Sequence, residues 1–360
     1  MHALIPLLAS ALGAALVPFP AQTPEIPFPT REWPEAPSAT GSPLSLTVEQ
    51  AFADPDPKKP LRTHAVLVVH RGRLVAERYG PAITAGTRLP GWSAAKTVTA
   101  ILAGILVGQG KLSLDGPTRV PAWAPPDPRS AITLEHLLRM TGGQAWREDY
   151  YDPMRSEVLT MLLGDGRHDM AAFAESRPLA ATPGSKFVYS CGSTLVVSKE
   201  LRRALPDDEA YRAFPRQALF DPLGMKSALF ETDGAGTIVG SSYFVATARD
   251  FARVGLLLLR GGQWDGKRIL PEGFVDRMRT PTPASRNGEY GAGVWLRPNP
   301  DLVPPMTRVP LDTFYASGKD GQYVVVVPSR DLVIVRLGTT PLDGRLNLGQ
   351  LIGGIVDAVP

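Results

Sequence analysis

Ser93 and Lys96 are the residues whose types and spacing could do nucleophilic chemistry. They stand three apart in GWSAAKTVTAILAGILVGQG. On a helix that spacing puts the hydroxyl and the amine on one face. A serine hydroxyl is a weak nucleophile, and a desolvated, neutral lysine beside it can take its proton. Such a pair acylates without histidine. The chain holds 19 Ser and 9 Lys, so one Ser-x-x-Lys carries little weight alone, although no second one occurs. A helix cap beside a surface charge is the plain alternative. The run behind the pair, with Val98, Ile101, Leu102, Ile105 and Leu106, counts against it, because a helix this apolar is buried. A nucleophile at the N-terminus of a buried helix gains from the dipole and from unpaired backbone N–H groups.

Two further islands could meet this pair. KFVYSCGSTLVV places Tyr189 after the turn signal Pro183-Gly184 and before a helix-like run. YASGKDGQYVVVV places Lys319 and Gly321 just before a strand. Each has a plainer alternative: Tyr189 as a packed tyrosine, Lys319 as a hairpin lysine paired with Asp320. The five His (2, 64, 70, 136 and 168) show no metal spacing, and no G-x-S-x-G elbow surrounds any Ser.

These islands need elements to hold them. HAVLVVHRGRLVAERYG reads as two strands flanking Arg71-Gly72. A helix is expected from Ser93 to Gln109, with Gly110 as its stop. Residues 110–235 read mostly as helix and loop. Thr133 caps LEHLLRM, and DDEAYRAFPRQALFDPLGM reads as a helix ended by Asp221-Pro222. A helix at 248–260 starts with the capping pair Thr247 and Asp250, and a shorter one starts at Pro271. YGAGVWL, GQYVVVV and DLVIVRLG read as strands, the last two joined by Pro328-Ser329-Arg330. LDGRLNLGQLIGGIVDAV closes as an amphipathic helix. Strands, a helical block, strands and a last helix suggest an α/β fold of the α+β type, an antiparallel sheet flanked by helices with an all-α insertion. The expected division is a discontinuous α/β domain over 61–92 plus 236–360 and a helical domain over 93–235. A cleft between such parts is a preferred site.

The same stretches carry a family likeness. GWSAAKTVTAILAGILVGQGKLSLD, ITLEHLLRMTGG, VYSCGSTLVV, FDPLGM, ATARDFARVGLLLLRGGQWDGKRILP and GQYVVVVPSRDLVIVRLG resemble the penicillin-recognising serine hydrolases. These are class C β-lactamases, D-alanyl-D-alanine carboxypeptidases, related esterases and 6-aminohexanoate-dimer hydrolases. The likeness runs over residues 62–358, and LLRMTGGQAWREDYYDP looks most like the dimer-hydrolase branch. It implies a β-lactamase/transpeptidase-like fold and an acyl-enzyme on Ser93. Lys96 would share or accept the proton once desolvation lowers its pKa. Tyr189 would ionise below its ordinary value and act as base, or protonate the leaving group. The backbone N–H groups of Ser93 and Gln322 would form the oxyanion hole. Lys319 and Gly321 would bind substrate, with Tyr150 (Tyr151 competing) and Cys191. No metal or organic cofactor is implied. Cys191 stands where β-lactamases usually carry Asn, and Asp320 replaces a threonine. Both departures favour a small ester, amide or peptide-like substrate over a penicillin. A true β-lactamase or carboxypeptidase stays open, and so does a non-catalytic binding or scaffold relative.

Composition sets the outer limits. Charged residues make up 20%, apolar residues 44%, and the net charge is +3, ordinary for a globular protein. No basic cluster exceeds Lys58-Lys59, which excludes a nucleic-acid patch. The single Cys191 forbids an internal disulfide. MHALIPLLASALGAALV resembles a secretory signal, so residues 1–22 are expected to be a signal peptide of an exported, periplasmic or secreted protein. The run is too short for a stable membrane span. Residues 23–60 read as a loosely packed Pro-rich arm.

Overall fold

Two β-rich runs from opposite ends of the chain meet in one antiparallel sheet. The computed structural model describes residues 16–53, 62–152, 154–296, 308–340 and 347–359. The strands are β1 (Thr63–His70), β2 (Arg73–Tyr79), β3 (Phe314–Gly318), β4 (Gln322–Val327) and β5 (Leu332–Gly338). Their order is β2-β1-β5-β4-β3, antiparallel throughout. The hairpin turn expected at Arg71-Gly72 is present, with φ of 50° and 76°. That twist suits a two-residue hairpin.

The helices are α1 (Pro43–Gln50), α2 (Ala95–Gly108), α3 (Leu134–Leu138), α4 (Glu157–Leu162), α5 (Met170–Glu175), α6 (Cys191–Arg203), α7 (Asp208–Pro215), α8 (Ala248–Leu259), α9 (Phe274–Met278) and α10 (Leu348–Ala358). Leu44 and Val48 of α1, with Ile352 and Ile355 of α10, cover Val66, Val68, Val325 and Ile334 on one sheet face. On the other face α8 comes close enough that a Cβ at Gly255 would lie 2.5 Å from Val333 Cγ1. Burial on both faces explains why β1 and β4 are continuous apolar runs instead of alternating ones.

Helix α2 is buried from Ala95 to Leu106. Burying Ile101, Leu102 and Leu106 stabilises the fold by about 1.5–3 kcal/mol each. Two threonines tie it to loops: Thr97 Oγ1 donates to Gly293 O at 2.7 Å and Thr99 Oγ1 to Gly240 O at 2.9 Å. Thr133 caps α3, Thr247 caps α8, and Gly110 (φ 68°) follows the end of α2, as expected. The fold is thus the expected α+β type, an antiparallel sheet flanked by helices.

Three local expectations change. YGAGVWL is no strand; Tyr290 and Trp295 bridge each other across a tight turn. The helix from Asp208 does not stop at Asp221-Pro222; it widens over Arg216–Phe220, takes one more turn to Leu223 and ends on Gly224 at φ 72°. The segment from 17 to 33 is docked, not loose. Arg253, Arg260 and Arg279, all buried, donate to the backbone oxygens of Pro29, Pro20 and Val17. Trp264 Nε1 donates to Thr30 Oγ1 at 2.8 Å. An extended Pro-rich chain leaves its carbonyls unpaired, and these arginines answer them from residues over 200 positions away, which no local pattern reveals. Residues 1–15 of the expected signal peptide, and 54–60 of the arm, lie outside the described residues.

Candidate functional site

Ser93 sits in a single 3-10 turn, Trp92–Ala94, that runs straight into α2. Trp92 just before it has φ 46°. A left-handed non-glycine residue costs roughly 1–2 kcal/mol, and such strain gathers where a side chain must be presented. Ser93 is half-buried while Lys96 is 3% exposed, so the serine borders solvent and the lysine does not. Lys96 Nζ lies 3.1 Å from each of three acceptors: Ser93 Oγ, Cys191 Sγ and the Ser241 carbonyl oxygen. The Tyr189 ring covers it, 4.8 Å from Nζ to the centroid, and Ser93 is among the groups that act on the Tyr189 hydroxyl. The structure thus brings Ser93, Lys96 and Tyr189 together.

Sequence reasoning missed Glu148. Its carboxylate takes four donors: Trp146 Nε1 at 2.6 Å, Cys191 N at 2.9 Å, Cys191 Sγ at 2.7 Å and Tyr150 Oη at 2.9 Å. Two of them come from the first residue of α6, where the helix dipole favours an anion. Gly192 makes the approach possible: a Cβ there would lie 2.5 Å from the Trp146 ring. Nothing periodic marks Glu148 in its loop; only its position within the stretch likened to the dimer hydrolases pointed nearby. Tyr290 and Trp295, which pack on Tyr189 at centroid distances of 5.9 and 5.4 Å, were read as strand residues.

The electrostatics differ from expectation in two places. Burial pulls Lys96 down, but its neighbours Cys191, Tyr189 and Glu148 outweigh it and hold Lys96 above its ordinary value. Burial lifts Tyr189 more than Lys96 and the Ser93 hydrogen bond lower it, so it does not ionise early. Burial also pushes the Cys191 thiol up to about 11. Glu148, by contrast, meets donors on both carboxylate oxygens.

Five expected contacts are placed otherwise. Gln322 lies on β4, an inner strand between β3 and β5. Its side chain is used on Lys319 O, Gly338 O and Gly338 N. Its backbone pairs with Gly318 of β3. The strand beside the Ser93 turn is the edge strand β3; a Cβ at Gly318 would sit 2.1 Å from Gly91 O, so glycine is required there. Among the described residues, neither the Ser93 nor the Lys319 backbone N–H has a hydrogen-bond partner. Cys191 is fully buried between Lys96 and Glu148, out of substrate reach. Tyr150 turns its hydroxyl to Glu148, 3.7 Å from Cys191 Sγ, whereas Tyr151 is 84% exposed. Lys319 is paired with Asp320 at 3.0 Å, and Gly321 (φ 86°) serves the turn between β3 and β4.

Comparisons with known proteins agree with this fold. The family model described as Beta-lactamase matches residues 48–348. A solved structure assigned as a 6-aminohexanoate-dimer hydrolase from Bacillus anthracis is similar at 22% identity and a TM-score of 0.69, over 92% of this chain and 88% of that one. EstCE1, a hydrolase with promiscuous acyltransferase activity, is similar at 18% identity and a TM-score of 0.65, over 88% and 97%. A family VIII carboxylesterase is similar at 14% identity with the same TM-score and coverage. No curated protein matches.

Proposed function

The chain belongs to the beta-lactamase family, and from that premise we propose that it is a serine hydrolase acting through an acyl-enzyme on Ser93. The reading rests on one observation above others: the hydroxyl of a half-buried Ser93 lies 3.1 Å from a buried lysine amine. Ser93 Oγ attacks the acyl carbon as the neutral form of Lys96, which its raised pKa confines to the alkaline side, takes its proton. The oxyanion that forms is received by two N–H groups, those of Ser93 and Lys319, at the junction of the Ser93 turn and edge strand β3. Tyr189, kept neutral by burial, gives a proton to the leaving group. Water then attacks the ester on Ser93, with the same two side chains handling its protons.

The preferred substrate is an uncharged ester or small amide. Asp320 answers the Lys319 charge at 3.0 Å, so a substrate carboxylate finds no unpaired cation there. The apolar start of the chain supports export, with any cleavage ahead of Val17, whose carbonyl is held by Arg279; N-terminal sequencing of secreted protein tests this. A p-nitrophenyl alkylphosphonate tests the main reading. Covalent phosphonylation of the Ser93 peptide is expected, and well-folded protein that stays unlabelled would refute it.

A further inference from the structure

The Lys96 amine is held by a chain of hydrogen bonds whose directions can be worked out from Glu148. A carboxylate only accepts, so the Cys191 thiol 2.7 Å away must donate to Glu148 Oε1. The thiol has a single proton. Towards Lys96 Nζ, at 3.1 Å, it can therefore only accept. The Ser241 carbonyl, also at 3.1 Å, only accepts as well. Two of the three tetrahedral positions of the amine thus carry hydrogens aimed at Cys191 and Ser241. The third, a hydrogen in the ammonium and a lone pair in the neutral amine, points at Ser93 Oγ.

We propose that Glu148 is a positioning residue: acting through Cys191, it orients Lys96 so that the one variable position of the amine faces Ser93, and its negative charge sets the pH at which that position becomes a lone pair. This deepens the serine-hydrolase reading and rests on it. The proton path balances within the pair. Ser93 loses its proton as the bond to the acyl carbon forms, neutral Lys96 gains it, and Glu148 keeps its charge throughout.

The other groups facing Lys96 do not share the task. Tyr189 covers it, and Tyr150 and Tyr290 stand on the loops behind; burial raises all three, so they are neutral. Tyr243, raised by burial, directs its hydroxyl to Leu162 O. Lys319 and Asp320, past the end of β3, pair with each other. Arg147, next to Glu148, turns to Asp149.

Glu148→Gln separates charge from shape. The amide oxygen can keep the Trp146 and Cys191 N–H bonds, while the amide nitrogen donates to Tyr150 and to the thiol, both able to accept. The thiol is then released to aim its proton at Lys96. The test is the rate of Ser93 phosphonylation by a p-nitrophenyl alkylphosphonate across the alkaline range, with the site confirmed by mass. In the wild type the rate climbs with pH, because the base is the deprotonated amine of a lysine held high. In Glu148→Gln the climb ends about one to two pH units lower, the usual effect of losing one nearby opposite charge, and the maximal rate falls about tenfold. Cys191→Ser, whose hydroxyl also donates and accepts, restores the wild-type profile; Cys191→Ala lowers the maximum without moving the climb. Superimposable profiles for Glu148→Gln and wild type overturn the proposal, and so does a uniform loss with an unmoved climb. If Glu148→Gln does not fold, NMR titration of Lys96 in the wild type decides: a midpoint above the ordinary lysine value is expected, one below it overturns the proposal. Failure of the wild type to label Ser93 at all would instead refute the serine-hydrolase reading.

Discussion

Two groups of buried cations contrast within this molecule. Along the docked N-terminal segment lie Arg253, Arg260 and Arg279; at the site lies Lys96, equally hidden. The arginines meet fixed acceptors. Arg253 bonds Asp250 at 2.7 Å, Arg260 bonds Asp331 at 2.6 Å and Arg279 bonds Asp276 at 2.7 Å, and each also donates to a backbone oxygen of the segment. A guanidinium does not deprotonate in proteins, so these charges can only hold structure. Lys96 instead has its counter-charge one thiol away and a hydroxyl in contact. Its charge is changeable, and its partner can react. The difference shows how burial of a cation serves stability when the donor set is permanent and chemistry when it is not.

Breaking the reactive side should have the largest effect. Ser93→Ala is expected to reduce acylation at least 10³-fold with an unchanged melting temperature, read by ester hydrolysis and circular dichroism. Lys96→Arg keeps a buried positive charge but cannot take a proton. A loss of about 10²–10⁴-fold is expected, and near-normal turnover would mean that Lys96 acts as a fixed cation like the arginines. Tyr189→Phe keeps the ring over Lys96 and removes the hydroxyl beside Ser93; the expected loss is about 10²-fold in kcat, larger for poor leaving groups. On the structural side, Arg260→Ala leaves Asp331 without its buried partner. It should cost about 3 kcal/mol in urea unfolding and leave kcat unaltered, and a change in kcat without a change in stability would erase the contrast. The smallest effect belongs to Lys319→Ala, expected to change kcat/KM for a neutral ester less than about threefold, since an exposed pair of this kind contributes roughly 0–1 kcal/mol.

The reactive side was the more legible one in the sequence. Ser93, Lys96 and Tyr189 stand in local patterns, the first two at helical spacing and the third just before a helix, and local patterns survive without knowledge of the fold. The sheet was legible for the same reason: β1, β2, β4 and β5 are runs of branched residues with turn residues between them. Glu148 was not, because it reaches Cys191 across 43 residues from an aperiodic loop. The place of Gln322 was not legible, because only strand order tells an edge strand from an inner one, and Lys-Asp-Gly forms the turn after the edge strand, with Asp320 and Gly321 at positive φ. The docked segment was hidden too, since its stabilising partners are arginines that any local reading puts on the surface.

The most direct measurement traps the intermediate itself. The protein is mixed with a short-chain p-nitrophenyl ester and quenched in acid within the first turnovers, and its peptides are weighed. The account predicts one acyl group on the peptide that carries Ser93, absent in Ser93→Ala. Hydrolysis of the ester with no acyl group there, or with the group on another residue, would contradict it.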